Sequence, residues 1–326
     1  MSDLKTKILA AVSDDLGAIE RALAENLTPH FDLTRDVAGH ILFSGGKRLR
    51  PLLMVLAARL CEYAGDKAAT FSIIFEYLHA ATLLHDDLVD EASVRRGKRV
   101  ANTVWDNSTA VLTGDFLLAR ALSLAAETGK LEVIRTIARI TEMMSQGEIQ
   151  QLNRKGDLTL TEKDYMAVIE CKTAVLFQGA CRTGALVAER NETAPQALAD
   201  YGYNLGLAFQ MADDLLDYTL DSAALGKVVG ADLREGKLTM PVIHALENAG
   251  AKDRKAMETI IENPDFSMDD FKKLIEMLQA HHGIRYTRET AEAYVARAKA
   301  CLDGFQPSAS RDTLCDIADY ALLRKA

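Results

Sequence analysis

Along most of the chain apolar residues return at i, i+3, i+4 and i+7, with polar residues between them, which is the repeat of a helix that buries one face. No proline occurs between Pro51 and Pro195. A proline inside a helix costs about 3 kcal/mol, so this long gap favours helices. The same stretch is rich in Ala, Leu, Glu and Arg. Residues 67–91, 115–127 and 132–152 are predicted as long helices, too apolar for surface helices and therefore buried in a bundle. No alternation of period two persists long enough to predict a strand. Breaks fall at Gly45-Gly46, Arg96-Gly97, 128–130, 155–157 and 226–236, where glycine and small polar residues mark loops between helices. There is no linker, low-complexity tract or internal repeat. The pattern predicts an all-α fold, a single large helical bundle in one domain over residues 1–326. Residues 1–30 are expected to form an amphipathic helix that packs on the body or on a partner subunit.

Composition narrows the function. The 326 residues are 48% apolar and 26% charged, with a net charge of −9, an acidic balance that argues against nucleic acid as a partner. The five cysteines are widely spaced, with no C-x-x-C pair, so neither a disulfide framework nor a zinc site is expected, and a cytoplasmic location fits. The first twenty residues carry charges throughout and no stretch reaches 18 uncharged apolar residues, so neither a signal peptide nor a transmembrane segment is expected.

Two segments carry the chemistry. HDDLVD and ADDLLD are complete Asp-Asp-x-x-Asp motifs, at Asp86, Asp87 and Asp90 and at Asp213, Asp214 and Asp217. Each follows a strongly apolar helical run, where carboxylates are costly to desolvate. Asp86 and Asp90 share one helix face, as do Asp213 and Asp217. Either motif alone reads equally well as a solvated acidic helix end; two complete copies argue against that. If the two faces oppose each other, carboxylates about 6 Å apart repel by nearly 3 kcal/mol per pair at an effective dielectric near 20. Hard divalent ions, above all Mg²⁺, relieve that repulsion. A di-iron bundle would need two Glu-x-x-His motifs, and the helices offer only Glu76-Tyr77-Leu78-His79.

Basic residues gather in Gly45-Gly46-Lys47-Arg48-Leu49-Arg50-Pro51 and in Arg95-Arg96-Gly97-Lys98-Arg99, the second soon after Asp90. Carboxylates cannot hold a diphosphate directly, but Mg²⁺ bridges the two while Arg and Lys take the outer oxygens. Neither cluster has the P-loop form, so the arrangement points to diphosphate rather than nucleotide chemistry.

Read in order, GGKRLRP, EYLHAATLLHDDLVDEASVRRG, GDFLLARA, CKTAVLF, FQMADDLLD and GKVVGADLREGKLTMPVI resemble the trans-isoprenyl diphosphate synthases through most of the chain. The resemblance implies an all-helical bundle around a deep central cavity, the isoprenoid synthase type, as a homodimer. It implies a Mg²⁺-dependent prenyltransferase, with two or three ions, that joins isopentenyl diphosphate head-to-tail onto an allylic diphosphate. By matching position, Asp86, Asp90 and Asp213 would bind metal, with Asp87, Asp214 and Asp217 in support. Lys47, Arg50, His79 and Arg96 would hold isopentenyl diphosphate. Arg95, Lys227 and Lys237 would hold the allylic diphosphate, and Lys172, Thr173 and Gln210 would lie near the reacting carbon.

Chain length in such enzymes is set by the side chains just before the first motif. Here these are Ala81 and Thr82, where short-chain members carry an aromatic, with Leu78 and Phe75 further down the helix. A helix over residues 67–90 is about 36 Å long, deep enough for a tail of some 40 carbons. The expectation is therefore a long-chain, octaprenyl-type product, with nonaprenyl or decaprenyl also in range. By resemblance it would serve quinone side chains and leave through transient membrane contact. A farnesyl- or geranylgeranyl-type synthase, a class I terpene cyclase and a non-catalytic synthase subunit are the rivals; the cyclase normally replaces the second aspartate motif, and the subunit would be expected to lack one of the two. Ala81→Phe is expected to shorten the product, and an unchanged product on reversed-phase chromatography would refute this placement.

Overall fold

The helical periodicity is realised in a computed structural model that describes residues 2–95, 97–189, 192–218 and 230–323. In chain order the helices are α1 (Ser2–Ala11), α2 (Ser13–Asn26), α3 (Asp32–Leu42), α4 (Leu49–Leu60), α5 (Ala68–Val89), α6 (Ala101–Val104), α7 (Asn107–Glu127), α8 (Leu131–Asn153), α9 (Glu162–Ile169), α10 (Val175–Ala188), α11 (Ala194–Asp217), α12 (Ala231–Arg234), α13 (Met240–Asn248), α14 (Ala251–Ile261), α15 (Met268–Ala280), α16 (Gly283–Ala300) and α17 (Ala309–Leu322). A π-helical turn, Glu170–Ala174, separates α9 from α10. Strands β1 (Val94–Arg95) and β2 (Lys98–Arg99) form an antiparallel hairpin, pairing Val94 with Arg99 and Arg95 with Lys98. Its strands are too short for a period-two signal, which is why the sequence shows only a loop there.

The chain divides into two compact units. One comprises Met1–Thr141, Leu176–Gly202 and Leu302–Asp316; the other Glu142–Val175, Tyr203–Cys301 and Ile317–Ala326.

In the first unit α5 packs against α7, α4 and α2. Its core positions Ile73, Ile74, Phe75, Tyr77 and Ala81 are fully buried. The N-terminal region is two helices rather than one, broken at Val12, and it packs on the body: Ile19 and Leu23 are fully buried, and the Tyr77 hydroxyl donates to the Leu23 carbonyl at 3.3 Å. Helix α7 begins at Asn107, eight residues before its predicted start, because Asp106 caps it by accepting from the Thr109 N–H at 2.8 Å. Among the described residues α7 is the one helix long and apolar enough to cross a membrane by length and composition. Its buried stripe of Ala110, Leu117, Ala121 and Leu124 belongs to the core of this unit. Helix α10 crosses α4 closely: a Cβ on Gly184 would sit 2.4 Å from the Met54 carbonyl oxygen.

In the second unit α13 packs against α16, α15 and α14 around Val242, Ile243, Phe271 and Leu274. The contact is tight enough that a Cβ at Gly283 would meet the Pro241 carbonyl at 2.1 Å. Helix α9 starts with a reciprocal cap between Thr161 and Asp164.

The basic segment before α4 is not uniformly a ligand surface. Arg48 is buried, with a left-handed backbone at φ 47°, and its guanidinium pairs with Glu76 at 2.6 Å and Glu20 at 2.7 Å and donates to the Leu42 carbonyl at 2.6 Å. Arg48→Ala would strand the buried Glu76 carboxylate and is expected to destabilise the protein by about 3 kcal/mol. Urea denaturation measures this, and Arg48→Met with Glu76→Leu should recover much of the loss. An unshifted midpoint in Arg48→Ala would show the pair to be dispensable.

Candidate active site

Both acidic motifs close a helix at its C-terminal end, α5 for the first and α11 for the second. That is the negative pole of the helix dipole, so carboxylates there are disfavoured by the backbone as well as by one another. Each motif thus builds a concentration of negative charge on a rigid helix.

In the first unit the Asp90 N–H closes the last turn of α5 onto the Asp86 carbonyl at 2.8 Å. Asp86 and Asp90 are half-buried, whereas Asp87 is 2% exposed. Arg95, delivered by β1, donates its Nε–H to Asp87 Oδ1 at 2.6 Å. Burial pushes the Asp87 carboxyl up, and Arg95 pulls against that shift. The second oxygen of Asp87 is buried without a hydrogen-bond partner. His85 lies against α7, its Nε2 at 3.2 Å from the Val111 carbonyl oxygen, a contact that a Cβ at Gly114 would block at 2.3 Å. Of the other expected residues here, Lys47 is exposed, His79 is half-buried, and the Arg50 guanidinium lies 4.9 Å over the Phe177 ring. Phe75, Leu78 and Ala81 are packed into the core, while Thr82 is half-buried with its hydroxyl on the His79 carbonyl. A phenylalanine at Ala81 must displace packed neighbours; at Thr82 it would extend from a side chain that already has accessible surface.

In the second unit the π-helical turn carries Lys172 and Thr173. Lys172 Nζ lies 2.6 Å from Glu148 Oε2 and 2.9 Å from Gln151 Oε1, one turn apart on α8. The Thr173 hydroxyl donates to Gln210 Oε1 at 2.7 Å, the Gln210 amide donates to Asp214 Oδ1 at 2.7 Å, and the Tyr165 hydroxyl donates to Asp214 Oδ2 at 2.6 Å. Asp217 receives the N–H groups of Ala231 and Asp232, each at 3.1 Å, and so caps the short helix α12. Lys237 pairs with Glu235 at 2.7 Å. Asp213 is half-buried. Arg96 and Lys227 lie outside the described residues.

The structure joins Thr173 and Gln210, expected near the reacting carbon, to Asp214, expected in support of the metal, and adds Tyr165, Glu148, Gln151 and Asp232, which the sequence does not single out. Tyr165 lies seven residues before Lys172 on the same helical run, and Glu148 and Gln151 have the i, i+3 spacing of one helix face; both signals were in the pattern. Asp232 brings a further carboxyl to the second motif, its acidity weakened by burial and by Asp214 and Asp217.

The donor set fits a hard divalent cation. It is all carboxylate oxygen, crowded on negative helix ends, with one buried oxygen of Asp87 lacking a donor. Among the described residues no three His, Cys, Asp or Glu side chains form a ready cage. Mg²⁺ commonly binds through one or two carboxylates and completes its shell with water and substrate phosphate.

Residues 32–278 match the family model described as polyprenyl synthetase. The chain is 36% identical over 318 residues to the octaprenyl diphosphate synthase of Escherichia coli (strain K12), covering 98% of each. It is similar to a crystal structure of a polyprenyl synthase from Caulobacter crescentus CB15 complexed with calcium and isoprenyl diphosphate, at TM-score 0.91 and 37% identity over 98% of both chains. A decaprenyl diphosphate synthase from Rhodobacter capsulatus matches at TM-score 0.91 and 38% identity, again over 98% of both.

Burial, reinforced by Asp213 and Asp217 and opposed by the bonds from Tyr165 and Gln210, pushes the Asp214 carboxyl from 3.8 up to about 7. The folded state then holds a proton that the unfolded state has released, so stability falls as pH rises from 4 toward about 7. In chelator-treated protein the melting temperature is expected to be lower at pH 8 than at pH 6, with Asp214→Asn flattening that slope and added Mg²⁺ restoring stability at pH 8. An identical slope in wild type and Asp214→Asn would remove Asp214 as its source.

Proposed function

The chain belongs to the polyprenyl synthetase family, with its all-α isoprenoid synthase fold, and is a polyprenyl diphosphate synthase, a prenyltransferase; on that premise we propose how its residues divide the work. The substrates are isopentenyl diphosphate and an allylic diphosphate, and the product is a long-chain all-trans polyprenyl diphosphate, octaprenyl in length, for quinone side chains. The octaprenyl synthase of E. coli and the decaprenyl synthase of R. capsulatus support the long-chain reading. The observation that carries the proposal is the pair of complete acidic motifs, each set on the negative end of a helix.

Asp86 and Asp90 on α5 and Asp213 on α11 would hold two or three Mg²⁺ ions. The calcium in the C. crescentus structure supports a hard divalent cation. Bound metal supplies charge neutralisation for the departing diphosphate. Asp87, Asp214 and Asp217, already engaged by Arg95, by Tyr165 and Gln210, and by the α12 N–H groups, keep the motifs in shape. Arg95, Lys227 and Lys237 hold the allylic diphosphate, and Lys47, Arg50, His79 and Arg96 hold isopentenyl diphosphate. The allylic carbon–oxygen bond breaks, the double bond of isopentenyl diphosphate attacks the allylic cation, and the released diphosphate takes the proton that restores a double bond. No side-chain nucleophile takes part. Thr173 and Gln210 turn oxygen toward the cation. The working form is a soluble cytoplasmic homodimer that meets the membrane on product release.

Purified protein with farnesyl diphosphate, labelled isopentenyl diphosphate and Mg²⁺ is expected to yield labelled prenyl diphosphates extending to about 40 carbons. Cyclised hydrocarbon formed without the co-substrate, or no turnover, would overturn the reading. Asp86→Ala and Asp213→Ala should each keep a cooperative melt and lower kcat by about 100-fold or more. Near-normal turnover in either would remove that residue from the metal set.

A further inference from the structure

We infer that Tyr165 is a positioning residue: through Asp214 and Gln210 it fixes which way the Thr173 hydroxyl points. The inference rests on the reading that Thr173 faces the reacting carbon.

The four side chains form one hydrogen-bonded line. Thr173 Oγ1 donates to Gln210 Oε1 at 2.7 Å, Gln210 Nε2 donates to Asp214 Oδ1 at 2.7 Å, and the Tyr165 hydroxyl donates to Asp214 Oδ2 at 2.6 Å. Tyr165, Thr173 and Asp214 are 4%, 6% and 5% exposed, so bulk water does not substitute for a lost partner. Once ionised, the Asp214 carboxylate only accepts, so Gln210 then presents its NH₂ group to Asp214 and its oxygen to Thr173. Thr173 then spends its proton on Gln210 and keeps its lone pairs for other neighbours. A flipped Gln210 amide would set oxygen against carboxylate and offer NH₂ to Thr173, whose proton would then turn outward. Beside a developing cation the first arrangement attracts and the second repels. The amide is therefore a two-way setting, and the carboxylate of Asp214 decides it. Tyr165 fills the other oxygen of that carboxylate and stops it from rotating away from Gln210.

The π-helical turn gives this line its geometry. Tyr165 and Thr173 are eight residues apart. In an uninterrupted α-helix, at about 100° per residue, they would diverge by about 80°. One residue inserted as a π turn brings position i+8 to nearly the azimuth of i+7, which lies over i. Both hydroxyls thereby reach Gln210 and Asp214, which are i and i+4 on α11.

The test is a double-mutant cycle of Tyr165→Phe with Thr173→Val in the Mg²⁺-loaded enzyme, read as the single-turnover rate with farnesyl diphosphate and as KM for isopentenyl diphosphate. Tyr165→Phe is expected to lower the rate about ten-fold and to move KM by less than about two-fold. In the Thr173→Val background the same change should cost less than about two-fold, because the group it orients is gone. In the metal-free protein at pH 8, where Asp214 is ionised, the Gln210 side-chain amide protons should exchange with water at least about ten-fold faster in Tyr165→Phe than in wild type. Equal losses in both backgrounds, an effect on KM instead of the rate, or unchanged exchange would overturn the inference while leaving the assigned reaction intact. An unimpaired Thr173→Val single mutant would end both the inference and the reading of Thr173 on which it rests. Should Tyr165→Phe lose its cooperative melt, Asp214→Asn replaces it in the cycle with the same coupling expected.

Discussion

Everything in this protein is arranged around negative charge placed where backbone, burial and neighbours all oppose it. At the C-terminal ends of α5 and α11 the helix dipole repels carboxylates, and the apolar helices beneath desolvate them. The protein offsets only part of this cost. Arg95 answers one oxygen of Asp87, Tyr165 and Gln210 answer Asp214, and two N–H groups of α12 answer Asp217. That these donors leave Asp214 with a carboxyl pushed up to about 7 measures how incomplete the offset is. A divalent cation is the species whose arrival relieves the most electrostatic strain at such a site.

The motif positions consequently do different jobs. In the first motif the middle aspartate is buried and held by an arginine, while Asp86 and Asp90 keep accessible surface. In the second the middle aspartate is again buried, and its partners run to Gln210 and Thr173. The two buried carboxylates, Asp87 and Asp214, are held by protein donors that shape the helix end, while Asp86, Asp90 and Asp213 keep accessible surface. The same logic separates the basic residues. Arg48 sits between Lys47 and Arg50 in sequence but is spent on Glu20 and Glu76 inside the first unit, where it fixes the start of α4.

This division marks what a sequence can and cannot reveal. The long helices were legible because apolar periodicity without proline has few other meanings: α5 and α8 begin and end within two residues of expectation. The two aspartate motifs were legible because a repeat of five positions is local. The role of Arg48 was not, since each of its two carboxylate partners lies 28 residues away, one before it and one after. The start of α7 was missed because NSTAVLTG is polar enough to pass for a loop until Asp106 is seen to cap it. The π-helical turn leaves no compositional trace, as its five residues would serve equally in an α-helix.

That turn shows how precision is obtained from ordinary parts. Lys172 and Thr173 are adjacent, yet one is tied to α8 through Glu148 and Gln151 and the other to α11 through Gln210. Rotating the turn in either direction would break one set of bonds, so the two helices bracket it. On the α8 side the approach is close because the facing residue is a glycine. A Cβ at Gly147 would sit 2.6 Å from Cys171 Cβ and 3.2 Å from the Lys172 nitrogen, so α8 approaches as closely as a helix lacking a side chain allows. Stabilising a short-lived cation demands oxygen atoms held to within about 0.5 Å, since a dipole that must first reorient loses its advantage in the reacting state. What the π turn adds is register: it returns Thr173 to the helix face of Tyr165, so both reach α11, while the adjacent Lys172, about a quarter-turn away, stays on α8.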